Sequence, residues 1–281
     1  MNKPVLNMLL GLIISLMTMA GGAHAEPFQS RMVLVIDDMG YNRKLGEAAL
    51  ALPGALTYSI LPYTPYAKRF AEQAHQSGRE VMLHAPMANT RNKALGPGAL
   101  TAEMDAEAIT SALNAALDEV PHVAGVNNHM GSRLTGMIKP MQWVMDTIKT
   151  RNLYFIDSIT TVKALGWKVA RDNNVRYLKR HVFLDHEASA EFIHRQFSAA
   201  LDIAKKHGYV VVIGHPYAET IHYLKKALPE LQSKGVRLVS ASDIVEPEVK
   251  RQLTERARRQ LQLADASEKQ TQPIAGEFKA D

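Results

Sequence analysis

The sequence predicts an α/β fold, a single deformed (β/α) barrel of about seven to eight parallel strands. Short apolar runs alternate with amphipathic helical stretches along the chain, which is the rhythm of βα units. The runs are continuously apolar, as parallel strands covered on both faces must be. Each also tends to end in an acid or a histidine, and in a parallel barrel all such ends face one mouth.

Taken in order, Val33–Ile36 reads as a buried strand running straight into Asp37 and Asp38. Neighbouring side chains leave an extended chain in opposite directions, so the two acids need not do the same job. Alternatively, one of them caps the helix that follows from Asn42. A helical stretch over Arg43–Leu52 closes at Pro53-Gly54, and Ala55–Leu61 is a strand stopped by Pro62. From Pro65 a helix places Ala67, Phe70, Ala71 and Ala74 on one face and ends at Gly78. Glu80–His84 is the third strand, Asn89–Gly98 a polar loop, and Asp105–Val120 a helix.

Gly125–His129 is a fourth strand end, and Pro140 suits the first position of the next helix. Leu153–Asp157 is the fifth strand, Thr160–Asn173 helical, and Val182–Asp185 the sixth strand. An amphipathic helix through Phe192, Ile193, Phe197, Ala200, Leu201 and Ala204 ends at Gly208. Tyr209–His215 is the seventh strand, Ala218–Leu228 a helix, and Val236–Ser240 the eighth strand.

The flanks differ in character. Lys3, the apolar Val5–Ala20 and Ala23-His24-Ala25 form a signal-peptide pattern, predicting cleavage after Ala25 and export to the periplasm. A membrane anchor fits less well, because the apolar run is short and broken by Asn7, Gly11 and Ser15. No stable membrane insertion is expected after cleavage. The barrel domain is expected over residues 26–246, followed by a charged tail over 247–281. In that tail Val249, Leu253, Ala257 and Leu261 make a narrow helical stripe, and Asp265–Asp281 is polar and expected to be disordered. The stripe is a candidate docking element for an envelope protein partner.

There is no cysteine, so no disulfide contributes. The formal charge is +5, or +4 once Lys3 leaves with the leader, and no concentrated Lys/Arg patch is expected over the fold. A nucleic-acid partner is therefore disfavoured.

The strand ends carry the chemistry: Asp37-Asp38, His84, His129, Asp157, Asp185 and His215. Such a set suits a divalent metal held by two imidazoles and a carboxylate, with a further carboxylate as base and a separate histidine as acid. His75, His122, His194, His207 and His222 fall on helices or their edges and read as surface or packing residues. Ser132 and Ser158 lie near the mouth, but no G-x-S-x-G, cysteine pair or phosphate loop is present. A metal-dependent phosphoesterase is a further option.

The segments VIDDMG, LHAPM, GVNNHMGSRLT, FIDS, VFLD and VVIGHP, in that order, resemble the divergent polysaccharide deacetylase family, distant relatives of NodB-type carbohydrate esterases. The resemblance spans Met32–Val245. It implies a deformed barrel and a metal-dependent hydrolase, with zinc as the expected ion, that removes acetyl groups from N-acetylated glycans at a C–N amide bond. By this resemblance Asp37 is the base, Asp38 and His84 are metal ligands, and His215 protonates the leaving amine. The second metal histidine of better-known relatives falls on Ala88, so His129 is the expected substitute, with His186 in reserve. Asp157 would orient His215 or sit behind the ligands. The arginine-containing substrate motif of typical members is not recognisable. A non-catalytic periplasmic protein that uses the same mouth to bind a glycan or partner is the alternative.

Overall fold

The computed structural model describes residues 30–245. The leader and the tail lie outside them. Nine strands form one parallel sheet: β1 Ser30–Met39, β2 Thr57–Ile60, β3 Glu80–Met87, β4 Val123–Met130, β5 Tyr154–Asp157, β6 Tyr177–Lys179, β7 Val182–Phe183, β8 Tyr209–Gly214 and β9 Val236–Val239. Seven α-helices alternate with them: α1 Arg43–Leu50, α2 Ala67–Gln76, α3 Ala106–Glu119, α4 Ile138–Thr150, α5 Gly166–Asp172, α6 Ala190–His207 and α7 Ala218–Ala227. The predicted α/β barrel is the fold observed.

The order across the sheet is β6-β5-β4-β3-β2-β1-β8-β7. β1 is central: Arg31–Ile36 pair with β8, while β9 meets Ser30–Val33 and β2 meets Val35–Met39. The end strands β6 and β7 are joined by Arg180-His181 and are not paired with one another. The barrel is thus open along a seam.

Strand alternation sorts the core into two layers. Met32, Leu34 and Ile36 of β1 pack under the helices, whereas Val33 and Val35 face inward with Met82, Tyr154, Ile156, Leu178, Val211 and Ile213. Gly125 is needed here because a Cβ would stand 2.3 Å from the Tyr154 ring, which fills the interior. Helix ends follow local chemistry. Asn42, Asp105 and Ser189 cap α1, α3 and α6 by accepting from Leu45, Ala108 and Phe192 N–H groups. Asn42 takes the cap of α1, which leaves both acids of β1 free of that role. Gly208, at φ +81, ends α6 and turns the chain into β8.

Several features differ from the sequence reading. Tyr177–Lys179 forms a strand that the apolar pattern did not reveal, being only three residues long. The VFLD segment pairs over Val182–Phe183 alone, since Leu184 and Asp185 already turn into the mouth loop. The helix expected over 160–173 is confined to Gly166–Asp172, because Asp157 anchors its start from below. Pro140 sits in the first turn of α4 but not at its first position, which is Ile138.

Candidate metal centre

The inward parity of β1 continues from Val35 to Asp37, which is buried. Strict alternation would then turn Asp38 outward. Instead Asp38 adopts φ +56, and the β1–β2 register slips between Ile36 and Met39. A left-handed non-glycine residue costs about 1–3 kcal/mol and is retained where surrounding structure over-determines it. The result is that both acids enter the same mouth. His84 Nε2 lies 3.7 Å from Asp37 Oδ2 and 3.1 Å from Asp38 Oδ1. The expectation from alternation, that the pair diverges, is corrected by this one residue.

On β3 the inward Met82 is followed by inward His84, and on β4 Gly125 and Asn127 lead to His129. Asp38 Oδ1, His84 Nε2 and His129 Nδ1 form a triangle with edges of 3.1, 2.8 and 3.2 Å. These are the three residues that could hold a metal ion among those described. Ligand bonds of about 2.0–2.1 Å meeting at tetrahedral or octahedral angles give donor separations of about 2.8–3.4 Å, so the edges fit.

The protonation pattern fits as well. Asn127 Nδ2 donates to Asp37 Oδ1 at 2.8 Å, and an ionised carboxylate can only accept. Asn127 Oδ1 must then face His84 Nδ1 at 2.7 Å and the Ser59 hydroxyl at 2.5 Å. His84 therefore carries its proton on Nδ1 and turns a lone pair on Nε2 toward the triangle. Asp38 Oδ1 is buried without a hydrogen bond. His84 Nε2 and Asp38 Oδ1 both face His129 Nδ1, so either a proton on that nitrogen or a metal ion joins the three. Burial alone would raise the Asp38 carboxyl, but His129 and His84 outweigh it and hold it well below the usual range.

Asp37 stands beside the triangle. Burial pushes its carboxyl up, against the opposing pull of His84 and His215, which suits a group that accepts a proton. On the far side, His215 Nε2 lies 3.8 Å from Asp38 Oδ2. Its Nδ1 is 2.8 Å from Asp185 Oδ1, whose other oxygen accepts from the His215 N–H and the Thr220 hydroxyl at 2.7 and 2.8 Å. Burial pulls the imidazole down, yet the Asp185 bond and charge, with Asp38 and Asp37, carry it to about 9.

Asp157 does not orient His215. Its oxygens accept from the Ile159 and Trp167 N–H groups, so it anchors the loop after β5 and the first turn of α5. Its side chain follows Phe155 toward the helix layer, the opposite parity to Ile156. Asp185 takes the position beside His215 instead. His186 lines the mouth against Phe183 but stands outside the donor triangle. Ala88 is buried, its carbonyl accepting from Arg133 and Leu134. Ser132 accepts from Thr90 N–H, and Ser158 is held between Asn127 and Asn128. Neither serine pairs with a histidine among the described residues.

Asn127 and Thr220 were not foreseen. The only signal for Asn127 was two amides inside a buried strand, GVNNH, which must be bonded to lie there. The mouth as a whole is a cleft of about 560 Å³, with Tyr217 stacked on His215 at its rim.

An open parallel barrel with a candidate histidine–carboxylate metal site, a buried acid and a carboxylate-held histidine at its strand ends defines the class of the molecule. The chain belongs to the divergent polysaccharide deacetylase family, whose model matches residues 34–245. The uncharacterized protein YibQ of Escherichia coli (strain K12) is 37% identical over 220 residues, covering 78% of this chain and 69% of that one. An uncharacterized protein of Haemophilus influenzae is 35% identical over 216 residues, 77% of each chain. In fold, the chain is similar to the crystal structure of an uncharacterized protein from Agrobacterium tumefaciens C58, with TM-score 0.75 and 23% identity over 77% of this chain and 89% of that one.

Proposed function

We propose that the protein is a periplasmic, metal-dependent hydrolase that removes acetyl groups from an N-acetylated envelope or extracellular polysaccharide. The observation that carries this reading is the donor triangle of Asp38, His84 and His129, set between the buried Asp37 and the Asp185-held His215. A divalent ion in such a cradle, with zinc the best match to two imidazoles and a carboxylate, supplies Lewis acidity that polarises an acetyl carbonyl and makes a water more acidic.

The chain's own residues supply the rest. Asp37 takes the proton from the attacking water. Its raised affinity for a proton and its hydrogen bond from Asn127 keep it oriented and basic. His215 delivers a proton from Nε2 to the departing amine, while Asp185 holds Nδ1–H and fixes the ring. Tyr217, stacked on His215, limits water on that side of the cleft.

The test is acetate release from N-acetylated oligosaccharides of the chitin and peptidoglycan types. Zinc-loaded wild type should release acetate. Asp37→Asn, which preserves shape, should keep its metal and lose about 10²–10⁴ in rate. Binding of a glycan with no acetate released from any N-acetyl substrate would replace catalysis by a glycan-binding role.

A further inference from the structure

The sequence shows no concentrated basic patch, yet the fold assembles one. A depression of about 1270 Å³ runs along the open seam, from the start of β1 to the loop after β5. Arg31, Lys179, Lys205 and Lys206 line it, brought from three separate segments, and no aspartate or glutamate is among its described lining residues. None of these four cations forms an ion pair with an acid among the described residues. Lys205 and Lys206 close the last turn of α6, where the helix dipole favours cations. That accounts for two of the four; Lys179 lies over the Trp167 ring and within the field of the buried Asp157, which leaves Arg31.

We propose that this seam binds a carboxylate-bearing polysaccharide strand and leads it to the metal mouth. Like charges gathered with no acid among the described lining residues repel one another, and an anionic ligand reverses the sign of that interaction. Trp167 lines the same place, with the Lys179 ammonium 4.3 Å and the Arg171 guanidinium 5.6 Å from its ring centre. A sugar acid arriving there would meet the two cations that lie over this ring. Thr161 lines both the seam and the mouth, so the two adjoin at that residue. The loop between them is fixed from beneath by Arg180, which donates to the Ser158 and Ile159 carbonyls at 2.6 and 2.7 Å.

The same sign recurs across the mouth. Arg91 and Lys93 line it on a loop pinned by the buried Asn89, which accepts from both their N–H groups at 3.0 Å and donates to the Lys93 carbonyl. Neither is in an ion pair among the described residues. The only acids among the described lining residues of the mouth are the buried or half-buried Asp37, Asp38 and Asp185. A strand lying along this route meets cations at each end and carboxylates only at the reacting centre. That the ligand is a glycan rests on the proposed function; that it is anionic rests on the charges alone.

The test compares two glycans of equal length, peptide-free peptidoglycan strands, which carry a lactyl carboxylate, and neutral chitin oligomers. Binding to the full-length mature protein should favour the anionic strand and weaken as salt rises. Replacing Lys179, Lys205 and Lys206 together by glutamate should weaken anionic-strand binding about tenfold or more, while chitin binding and turnover of a short neutral substrate stay unchanged. Arginine at the three positions should restore it. Equal affinity for the two glycans, or an unchanged affinity in the glutamate variant, would overturn the proposal. So would a charge-dependent affinity for anionic phospholipid vesicles with none for either glycan. Failure of acetate release alone would sink the hydrolase reading and leave the binding result standing.

Discussion

Asn127 offers a sharp test of how the mouth is built, because one buried amide joins the proposed base to a proposed metal ligand. It donates to Asp37 Oδ1 and accepts from His84 Nδ1 and Ser59. Leucine in its place keeps the volume and removes every bond. Asp37 then loses its one side-chain amide donor at close range, a bond to a charged group contributing about 1.5–3 kcal/mol. His84 loses the acceptor that fixes its tautomer, and losing such an outer partner typically costs about 10–100-fold in metal affinity. Zinc affinity should therefore fall by about that factor in a chelator competition. The melting temperature of metal-free protein should fall by about 2–4 °C for each kcal/mol lost. If Asn127→Leu binds zinc as tightly as wild type, the tautomer argument fails, and His84 is not held in ligand form by this amide.

Other outcomes follow from the same geometry. Asp185→Asn removes the charge that raises His215 most among its neighbours, so in metal-free protein the imidazole should titrate well below its value of about 9, read by histidine NMR. Since that folded value exceeds the unfolded one near 6.5, the His215 contribution to stability is complete below about pH 6.5 and lost as pH rises through about 9. The variant should lose that contribution, and an unaltered titration would show that Asp185 does not control the ring. Asp157→Asn should lower stability through the start of α5 while leaving metal affinity alone; a loss of zinc would return Asp157 to the ligand sphere. A chain ending near Glu246 should melt at nearly the same temperature as the mature protein, and a large drop would make the tail part of the domain.

Much of the architecture is legible from periodicity, because parallel strands buried on both faces leave continuous apolar runs and helices leave stripes. The triangle residues could be named from their place at strand ends. Their distances could not, since these depend on the left-handed turn at Asp38 and the register slip beside it. The partner of His215 was misassigned for a similar reason. Asp157 and Asp185 both follow apolar runs, and only their parity and neighbours show that one anchors α5 while the other grips the imidazole. Tyr177–Lys179 was too short to carry a pattern. The seam cations were invisible because Arg31, Lys179 and Lys205 are far apart in sequence and meet only when the barrel forms.

Zinc soaked into crystals of the protein and located by its anomalous scattering tests the central claim most directly. One ion should appear within about 2.0–2.2 Å of Asp38 Oδ1, His84 Nε2 and His129 Nδ1, with Asp37 and His215 outside the ligand set. An ion held instead by His186 or His215, or one bound through His129 Nε2, would contradict the assignment of the mouth as a hydrolytic metal centre.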